Sequence, residues 1–219
     1  MTAGPRRRVG VLVSGRGSNM AALIEAAADS SFPAEIALVL SNRPGAGALD
    51  RAAAAGLPTA VVDHKAYPDR ESFDRAVHAA LVAANVKLVC LAGFMRLLTP
   101  WFVETWRDRL INIHPALLPA YKGLHTHERA LADGVKLHGC TVHVVRAEMD
   151  VGPIIAQAAV PVVEGDDPDS LAARVLKAEH ALYPAALALF ASGRAVVDGE
   201  RVRISGEPAA PPALVWPAA

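Results

Sequence analysis

Short apolar runs of β type alternate with helix-forming segments along the first half of the chain, and this alternation constrains the fold most. It predicts five strands, at residues 9–14, 35–41, 59–63, 87–91 and 110–114. It predicts helices between them, at residues 20–28, 46–55 and 72–85. Nearly continuous apolar strands joined by helices form parallel sheets that are buried on both faces. The expected class is therefore α/β, with a Rossmann-like, mostly parallel sheet and helices on both faces.

The second half of the chain has a different pattern of predicted strands and helices. A loop at 121–127 leads into a short helix, and two strands are predicted at 138–145 and 154–160. A long helix is predicted at 169–191, and Asp198-Gly199 between two short apolar runs signals a two-residue hairpin. We therefore expect antiparallel strands to extend the sheet. A single domain is predicted over residues 1–206, followed by a loose Pro/Ala-rich tail at 207–219.

Composition and charge exclude several classes of function. The chain has 219 residues, of which 53% are hydrophobic, and it carries 22 basic and 22 acidic side chains. Nucleic-acid binding needs a basic surplus, so no nucleic-acid partner is expected. No apolar run approaches the roughly 20 residues of a membrane span, and no signal peptide is recognisable. Cys90 and Cys140 lie in strand-like runs as buried thiols, so we predict a cytoplasmic protein that acts on small molecules.

Residues 15–19, Gly-Arg-Gly-Ser-Asn, connect the first strand to the first helix. Such a loop aims backbone N–H groups and the helix dipole at an anion, and Ser18 and Asn19 can both cap the helix and bind a phosphate. A tight turn with a helix cap is the alternative interpretation. Met20 stands where a dinucleotide loop has its third glycine, and no Gly-Lys-Ser/Thr of a nucleotide loop is present. A single phosphate, such as that of a sugar phosphate, therefore fits better than NAD or ATP.

Asn112 and His114 lie on one face of the fifth strand, because side chains alternate along a strand. Ligands of open α/β sheets bind at the C-terminal ends of the strands. Further along, a turn-rich loop carries Asp150. An amide, an imidazole and a carboxylate held together could stabilise an oxyanion and move a proton. The alternative interpretation is a structural Asn-x-His followed by a rigid turn at Pro115 and Pro119.

Other chemistries find less support. Four further histidines, at 125, 127, 138 and 143, do not have the spacing of a zinc site, so no metal is expected. His138 and His143 are predicted to be satisfied strand residues or to help position the site. No Gly-x-Ser-x-Gly elbow is present, and Cys90 lies in an apolar run that disfavours a thiolate nucleophile.

Seven segments of the chain resemble the glycinamide ribonucleotide formyltransferase (phosphoribosylglycinamide formyltransferase) family, the folate-dependent enzymes of purine biosynthesis. They are residues 14–19, 91–96, 112–119, 123–127, 138–143, 150–153 and 179–184, which span the chain from about residue 8 to about 205. Asn-x-His with a distant Asp is shared by several formyl-transferring folate enzymes. The glycine loop and Glu179-His180 are narrower features that point to this family.

The resemblance implies formyl transfer from the co-substrate 10-formyltetrahydrofolate to the amine of glycinamide ribonucleotide. Its catalytic residues would be Asn112, His114 and Asp150, with Asp150 favouring a protonated His114. The ribonucleotide would contact Gly17, Ser18, Asn19, Leu176 and Glu179. The folate would contact Arg70, Met95, Arg96, Leu97, Leu98, Asn112, Arg146, Ala147, Glu148, Met149 and Asp150. Residues 1–108 would form the phosphate-binding half of the domain and residues 109–206 its catalytic and folate half.

Two positions depart from the family pattern, and several alternatives stay open. Ala116 stands where the family often has Ser, and Val151, where it often has Gly, would stiffen or reshape the folate loop. A formyltetrahydrofolate deformylase would use a similar trio after an additional N-terminal domain, whereas the first strand here begins by residue 9. A methionyl-tRNA formyltransferase would add a large basic domain. A non-catalytic phosphosugar-binding module would need only the glycine loop. A monomer or a homodimer is expected.

Overall fold

A mixed seven-stranded sheet forms the centre of the protein, in a computed structural model that describes residues 5–206 and 215–217. Its strands are β1 (Arg7–Val13), β2 (Ala34–Ser41), β3 (Thr59–Val61), β4 (Leu88–Leu91), β5 (Leu110–His114), β6 (Leu137–Val144) and β7 (Ile154–Pro161). They lie side by side in the order β3-β2-β1-β4-β5-β6-β7. The first five strands pair in parallel, and β6 and β7 are antiparallel to their neighbours. The predicted fold class is confirmed.

Six α-helices are found within the described residues: α1 (Ser18–Ala28), α2 (Gly47–Ala54), α3 (Arg70–Ala83), α4 (Pro100–Thr105), α5 (Thr126–Ala132) and α6 (Pro168–Ala191). A short 3-10 helix spans His64–Ala66. Strands β8 (Ala195–Asp198) and β9 (Arg201–Ile204) form a separate antiparallel hairpin. The predicted hairpin at Asp198-Gly199 is therefore confirmed.

Helices cover both faces of the sheet because consecutive residues of β1 point to opposite sides. Val11 contributes to a core cluster with Leu23 of α1 and Tyr183 of α6. Leu12 belongs to a second cluster, with Phe73 of α3 and Phe102 of α4. Burying a side chain of this size stabilises the fold by roughly 1.5–3 kcal/mol. The two clusters together hold the C-terminal ends of the parallel strands in fixed positions.

Helix α4 was absent from the sequence-based prediction, although its start carries a recognisable signal. Thr99 occupies the N-cap position and its hydroxyl accepts a hydrogen bond from the Phe102 N–H at 3.3 Å. Pro100 stands at the first helical position, where its fixed φ suits a helix and its missing N–H costs nothing. The Thr-Pro pair would have predicted this helix.

The predicted capping of α1 by Ser18 and Asn19 is wrong. Gly17 occupies the N-cap position in the left-handed region, with φ of 71°, and no side chain caps the helix. Ser18 and Asn19 instead form the first turn of α1, which begins two residues earlier than predicted. Their side chains therefore remain available for contacts outside the helix.

The predicted tail at 207–219 lies largely outside the described residues. Within 215–217, the Trp216 indole N–H donates to the Val162 carbonyl at 3.1 Å. Among the described residues, no helix is both long enough and apolar enough to cross a membrane.

Candidate active site

The predicted trio comes together at the C-terminal end of β5. Asn112 and His114 are on one face of this strand, and Asp150 lies in the loop between β6 and β7. The His114 Nδ1 atom is 3.4 Å from Asp150 Oδ2, and both side chains are largely buried. Asn112 is more accessible than His114, which is only 5% exposed. The amide is therefore the member of the trio that a bound molecule reaches most directly.

His114 is held between two hydrogen-bond acceptors. Its Nε2 atom lies 2.9 Å from the carbonyl oxygen of Tyr121, which can only accept, so Nε2 carries a proton. Its Nδ1 atom faces the carboxylate of Asp150. The Tyr121 carbonyl and the Asp150 carboxylate therefore fix the orientation of the ring from both sides.

His143 fixes the orientation of the Asn112 amide. Its Nδ1 atom lies 3.1 Å from the Val144 carbonyl, to which it donates. Burial lowers the pKa of His143, so the ring is neutral and its Nε2 atom is an acceptor. Nε2 lies 3.3 Å from Asn112 Nδ2, across the antiparallel register that pairs the two residues. One amide hydrogen is thus taken by His143, and the second remains for a ligand. The positioning role considered for His143 from sequence fits this contact.

The loop that carries Asp150 is fixed by backbone contacts. The Gly123 N–H donates to Asp150 Oδ2 at 2.8 Å, which ties this loop to the segment after β5. Gly152 has φ of 140°, and a Cβ atom there would lie 2.1 Å from the Val144 carbonyl oxygen. Only glycine fits this close approach to β6, so Asp150 is held beside His114 by the path of the chain itself.

The glycine loop lies against α2 and faces α6. A Cβ atom on Gly17 would lie 2.6 Å from the Cβ of Ala48, and the residue's φ is positive. Asn19 donates through Nδ2 to Glu179 Oε2 at 2.7 Å, although the two residues are 160 positions apart. Glu179 is only 6% exposed, and burial raises the pKa of its carboxyl group. Leu176, partly buried, lies one turn before it on α6.

The segment between β4 and α4 carries four of the predicted folate residues. Met95 is 67% exposed and Leu97 is also exposed, whereas Arg96 and Leu98 are partly buried. The Met95 N–H donates to the Ser14 hydroxyl at 2.7 Å, which anchors the segment to the end of β1. Because β4 pairs in parallel with β1 on one side and with β5 on the other, this apolar segment follows the same edge of the sheet as the trio.

A buried carboxylate fixes the other end of this segment. Asp74 of α3 accepts hydrogen bonds from both the N–H and the hydroxyl of Thr99, each at 2.7 Å. Burial raises the pKa of Asp74, whereas the Thr99 donors and the nearby cations Arg70 and Arg96 act in the opposite direction. Arg70, at the start of α3, and Arg96 therefore lie close enough to share one electrostatic environment.

The residues of the Asp150 loop that are predicted to bind folate differ in how free their side chains are to contact a ligand. Ala147, Glu148 and Met149 are exposed. The Arg146 side chain is ion-paired with Asp108 at 2.9 Å and with Glu200 at 3.3 Å. Its guanidinium thus joins this loop to the region before β5 and to the terminal hairpin. A folate contact of Arg146 remains a prediction, and it would have to compete with these carboxylates.

Among the described residues, no arrangement of side chains supports metal binding or thiol chemistry. Within residues 5–206 and 215–217, no group of three or more His, Cys, Asp or Glu side chains is arranged to hold a metal ion. Cys90 and Cys140 are free and buried, and burial raises the pKa of each thiol to about 12.

A Rossmann-like sheet with an amide, an imidazole and a carboxylate at the C-terminal ends of its strands is suited to an α/β enzyme that uses acid–base chemistry, and sequence comparison gives the family. Residues 7–187 match the family described as formyl transferase, and the chain belongs to it. It is 44% identical over 203 residues to phosphoribosylglycinamide formyltransferase of Escherichia coli (strain K12), covering 90% of this chain and 96% of that protein. The predicted family and enzyme class are confirmed.

Two further comparisons show how much of each related protein this chain covers. The trifunctional purine biosynthetic protein adenosine-3 of Drosophila melanogaster is 51% identical over 197 residues, which are 89% of this chain. The chain spans a fifth or less of the length of such trifunctional relatives. The crystal structure of glycinamide ribonucleotide transformylase 1 from Symbiobacterium toebii superposes with a TM-score of 0.89 at 46% identity, covering 93% of this chain and 99% of that one.

A deformylase provides a contrast. The formyltetrahydrofolate deformylase from Pseudomonas syringae pv. tomato str. DC3000 has a TM-score of 0.85 but only 26% identity, and the match covers 92% of this chain and 67% of that chain. The alternative function is therefore represented by a more distant relative than the transferase.

Proposed function

We propose that the chain transfers the formyl group of 10-formyltetrahydrofolate to the amine of glycinamide ribonucleotide, in de novo purine biosynthesis. The products are formylglycinamide ribonucleotide and tetrahydrofolate. The observation that carries the proposal is the combination of two arrangements at one edge of the sheet. His114 and Asp150, whose side chains approach to 3.4 Å, lie beside the oriented Asn112 amide, and Asn19 donates to Glu179 next to the glycine loop.

Asn112 and His114 have complementary roles in this reaction. As the substrate amine attacks the formyl carbon, the carbonyl oxygen gains negative charge, and the free amide hydrogen of Asn112 donates to it. The nitrogen that leaves must receive a proton, and the attacking amine must lose one. His114 is the acid that can supply the proton to the leaving nitrogen, once its contact with the neutral Tyr121 carbonyl is exchanged for a contact with the reacting groups. The neutral imidazole that results can take up the proton that the amine loses, so the proton balance closes on His114. Most of the remaining task is to hold two substrates in contact.

The glycine loop and α6 would hold the ribonucleotide. Gly17 brings the backbone N–H groups at the start of α1 close to a phosphate, with Ser18 and Asn19 in the first helical turn. Glu179, fixed by Asn19, offers a carboxylate to the ribose or the amine, and Leu176 lies on the same helix. Within the single domain proposed for residues 1–206, residues 1–108 would form the phosphate-binding half and residues 109–206 the catalytic and folate half. Glu179, from the second half, would complete the phosphate-binding half through its contact with Asn19.

The folate would lie against the segment between β4 and α4. Met95, Leu97 and Leu98 offer apolar surface, and Met149 offers more from the Asp150 loop. Arg70 and Arg96 carry the positive charge that an acidic folate tail needs.

A transferase is distinguished from a deformylase by the acceptor. The purified protein should release tetrahydrofolate from 10-formyltetrahydrofolate rapidly when glycinamide ribonucleotide is present and only slowly in its absence. The change in folate absorbance measures both rates. Equal rates with and without the ribonucleotide would identify water as the acceptor, and no turnover in either case would support a phosphosugar-binding module.

We further propose that the protein is cytoplasmic and that its partners are small molecules. Both cysteines are free, which fits a reducing compartment. A monomer or a homodimer is proposed, and sedimentation of the purified chain would distinguish them.

Gly17→Ala is expected to weaken binding of the ribonucleotide selectively. A positive φ costs a non-glycine residue roughly 1–2 kcal/mol, and the added Cβ would meet Ala48. The loop must therefore shift, and the KM for the ribonucleotide should rise roughly tenfold or more. The KM for the folate should change little. Gly15→Ala is the matched control, because a Cβ there meets no atom within 4 Å. Similar changes in both KM values, or the same effect in the control, would contradict a phosphate site at Gly17.

Glu179→Gln is expected to stabilise the protein increasingly as the pH rises. Burial raises the pKa of Glu179, so the stability contributed by its protonated form is present at low pH and is lost as pH rises through that pKa. Glutamine keeps the acceptor for Asn19 and cannot ionise. The Tm difference between variant and wild type should therefore grow from about pH 4 towards neutrality. Glu25→Gln, on the exposed side of α1, should show no such growth. A flat Tm difference for Glu179→Gln would contradict the buried charge.

A further inference from the structure

The segment that joins β4 to α4, residues 92–99, has few hydrogen bonds to the rest of the protein. At its end, Asp74 accepts two hydrogen bonds from Thr99, each at 2.7 Å. Among the described residues, the Met95 N–H is the one backbone group of residues 94–98 that forms a hydrogen bond with the rest of the protein. The position of the middle of this segment therefore depends on the acceptor of that single bond. We name residues 92–99 the β4–α4 segment.

Ser14, which directly follows β1, supplies that acceptor. Its hydroxyl oxygen lies 2.7 Å from the Met95 nitrogen, and its backbone N–H donates to the Gly93 carbonyl at 3.2 Å. Ser14 is only 6% exposed. A hydroxyl has one hydrogen, and that of Ser14 is donated to Asn42 Oδ1 at 2.6 Å, which leaves the oxygen lone pairs for the Met95 N–H. Ser14 thus holds the β4–α4 segment through both its backbone and its side chain.

Asn42, which orients the Ser14 hydroxyl, is itself fixed. It directly follows β2 and is completely buried. Its carbonyl oxygen accepts from the His64 N–H at 3.3 Å and lies 2.8 Å from His64 Nδ1, which therefore carries a proton. Ser14, Asn42 and His64 follow the ends of β1, β2 and β3, which are neighbours in the sheet. The acceptor for Met95 is therefore held in place by three adjacent strands.

The hydrogen bond of Ser14 lies between the two proposed substrate sites. On one side, Met95 is 67% exposed and Leu97 is 59% exposed, and both belong to the apolar surface proposed for the folate. On the other side, Ser14 directly precedes the glycine loop, whose Gly15 carbonyl accepts from the Ala48 N–H of α2 at 3.1 Å. One residue is thus covalently joined to the phosphate loop and hydrogen-bonded to the β4–α4 segment.

We propose that Ser14 is a positioning residue for the folate co-substrate, an inference that rests on the proposed function. Its hydroxyl, oriented by Asn42, fixes the Met95 backbone and so sets where the apolar surface lies relative to the glycine loop. Without the hydroxyl, the Met95 N–H loses its acceptor, and the β4–α4 segment shifts so that water can replace it. The folate must then order this segment as it binds, and that ordering weakens binding.

Ser14→Ala tests this role in steady-state kinetics with both substrates varied. The KM for 10-formyltetrahydrofolate should rise roughly tenfold, the effect of losing one hydrogen bond. The KM for the ribonucleotide and kcat at saturating folate should change little, because bound folate restores the segment. Ser41→Ala is the matched control. Ser41 is also completely buried at the end of a strand, and its hydroxyl accepts from the Arg43 N–H at 3.0 Å, outside the β4–α4 segment. A merely structural role would lower the Tm of both variants and leave the folate KM unchanged.

Amide hydrogen exchange tests the anchor without turnover. In the wild type, the Met95 amide should exchange more slowly than that of Leu97, and in Ser14→Ala it should exchange roughly tenfold faster. The Thr99 amide, which is held by Asp74, should keep its rate. Unchanged folate KM in Ser14→Ala, an equal rise in Ser41→Ala, or an unprotected Met95 amide in the wild type would overturn the proposal.

Calorimetric titration with tetrahydrofolate separates this inference from the proposed reaction. A wild type that binds tetrahydrofolate more tightly than Ser14→Ala does, but has no turnover, would support the positioning role and contradict the proposed reaction. A wild type with turnover, and with the same tetrahydrofolate affinity as Ser14→Ala, would contradict the positioning role alone. A wild type that binds no tetrahydrofolate would overturn both.

Discussion

Asp150→Asn is expected to lower kcat at neutral pH by roughly a hundred- to ten-thousand-fold, the usual range for general acid–base catalysis. The carboxylate lies 3.4 Å from His114 Nδ1, where its negative charge can stabilise the positive charge that the ring carries as the proposed general acid. Asparagine keeps the size of the side chain and removes its charge. Steady-state kinetics measure the loss of kcat, and a thermal melt of the variant confirms that it is folded.

The contact between His114 and Asp150 also predicts how the single and double variants compare. His114→Ala should be about as impaired as Asp150→Asn, and the double variant should be little worse than either, because the two residues act as a unit. The values of kcat for all four proteins, measured under the same conditions, make the comparison. Fully multiplicative losses would show that Asp150 acts separately, by ordering the loop through its contact with Gly123.

The sheet was predictable because its signals are local. Val9, Val11 and Val13 on one face and Leu12 on the other are buried, as the continuous apolar run indicated. The predicted start of α1 is wrong for a reason that is also local in the sequence. Ser18 and Asn19 are common capping residues, but Gly17 in the left-handed region starts the helix two residues early. The Thr99-Pro100 pair at the start of α4 is likewise a local signal, a capping residue followed by a proline at the first helical position.

The contacts inside the site were predictable only in part. The period of a strand put Asn112 and His114 on one face, and the resemblance to known formyltransferases implied Asp150. No local pattern indicates that Gly123 holds Asp150, or that Asn19 meets Glu179 across 160 positions. Such contacts depend on how the strands are ordered in the sheet. Resemblance to a family also leaves contacts out. It implied that Arg146 binds the folate, but it gave no indication of the ion pairs that Arg146 forms with Asp108 and Glu200.

Asn112→Ala is expected to lower kcat by roughly a hundred- to a thousand-fold, the usual cost of losing one preorganised donor to an oxyanion. The Asn112 amide is oriented for this role, because His143 Nε2 accepts one of its hydrogens and leaves the other free. The KM for the ribonucleotide should change little, since the glycine loop and Glu179 belong to other elements. The variant also leaves His143 Nε2 without its donor, which should cost about 1–3 kcal/mol of stability.

Asn112→Asp provides a sharper comparison than alanine alone. It keeps the shape of the side chain, but an ionised carboxylate can only accept hydrogen bonds and would repel the oxyanion. It should therefore be at least as impaired as Asn112→Ala at neutral pH. Steady-state kinetics with both substrates varied separate the effects on kcat and KM, and a thermal melt of each variant confirms that it is folded. If Asn112→Asp or Asn112→Ala keeps kcat within a few-fold of wild type, the amide is not the oxyanion donor, and His114 would have to stabilise that charge alone.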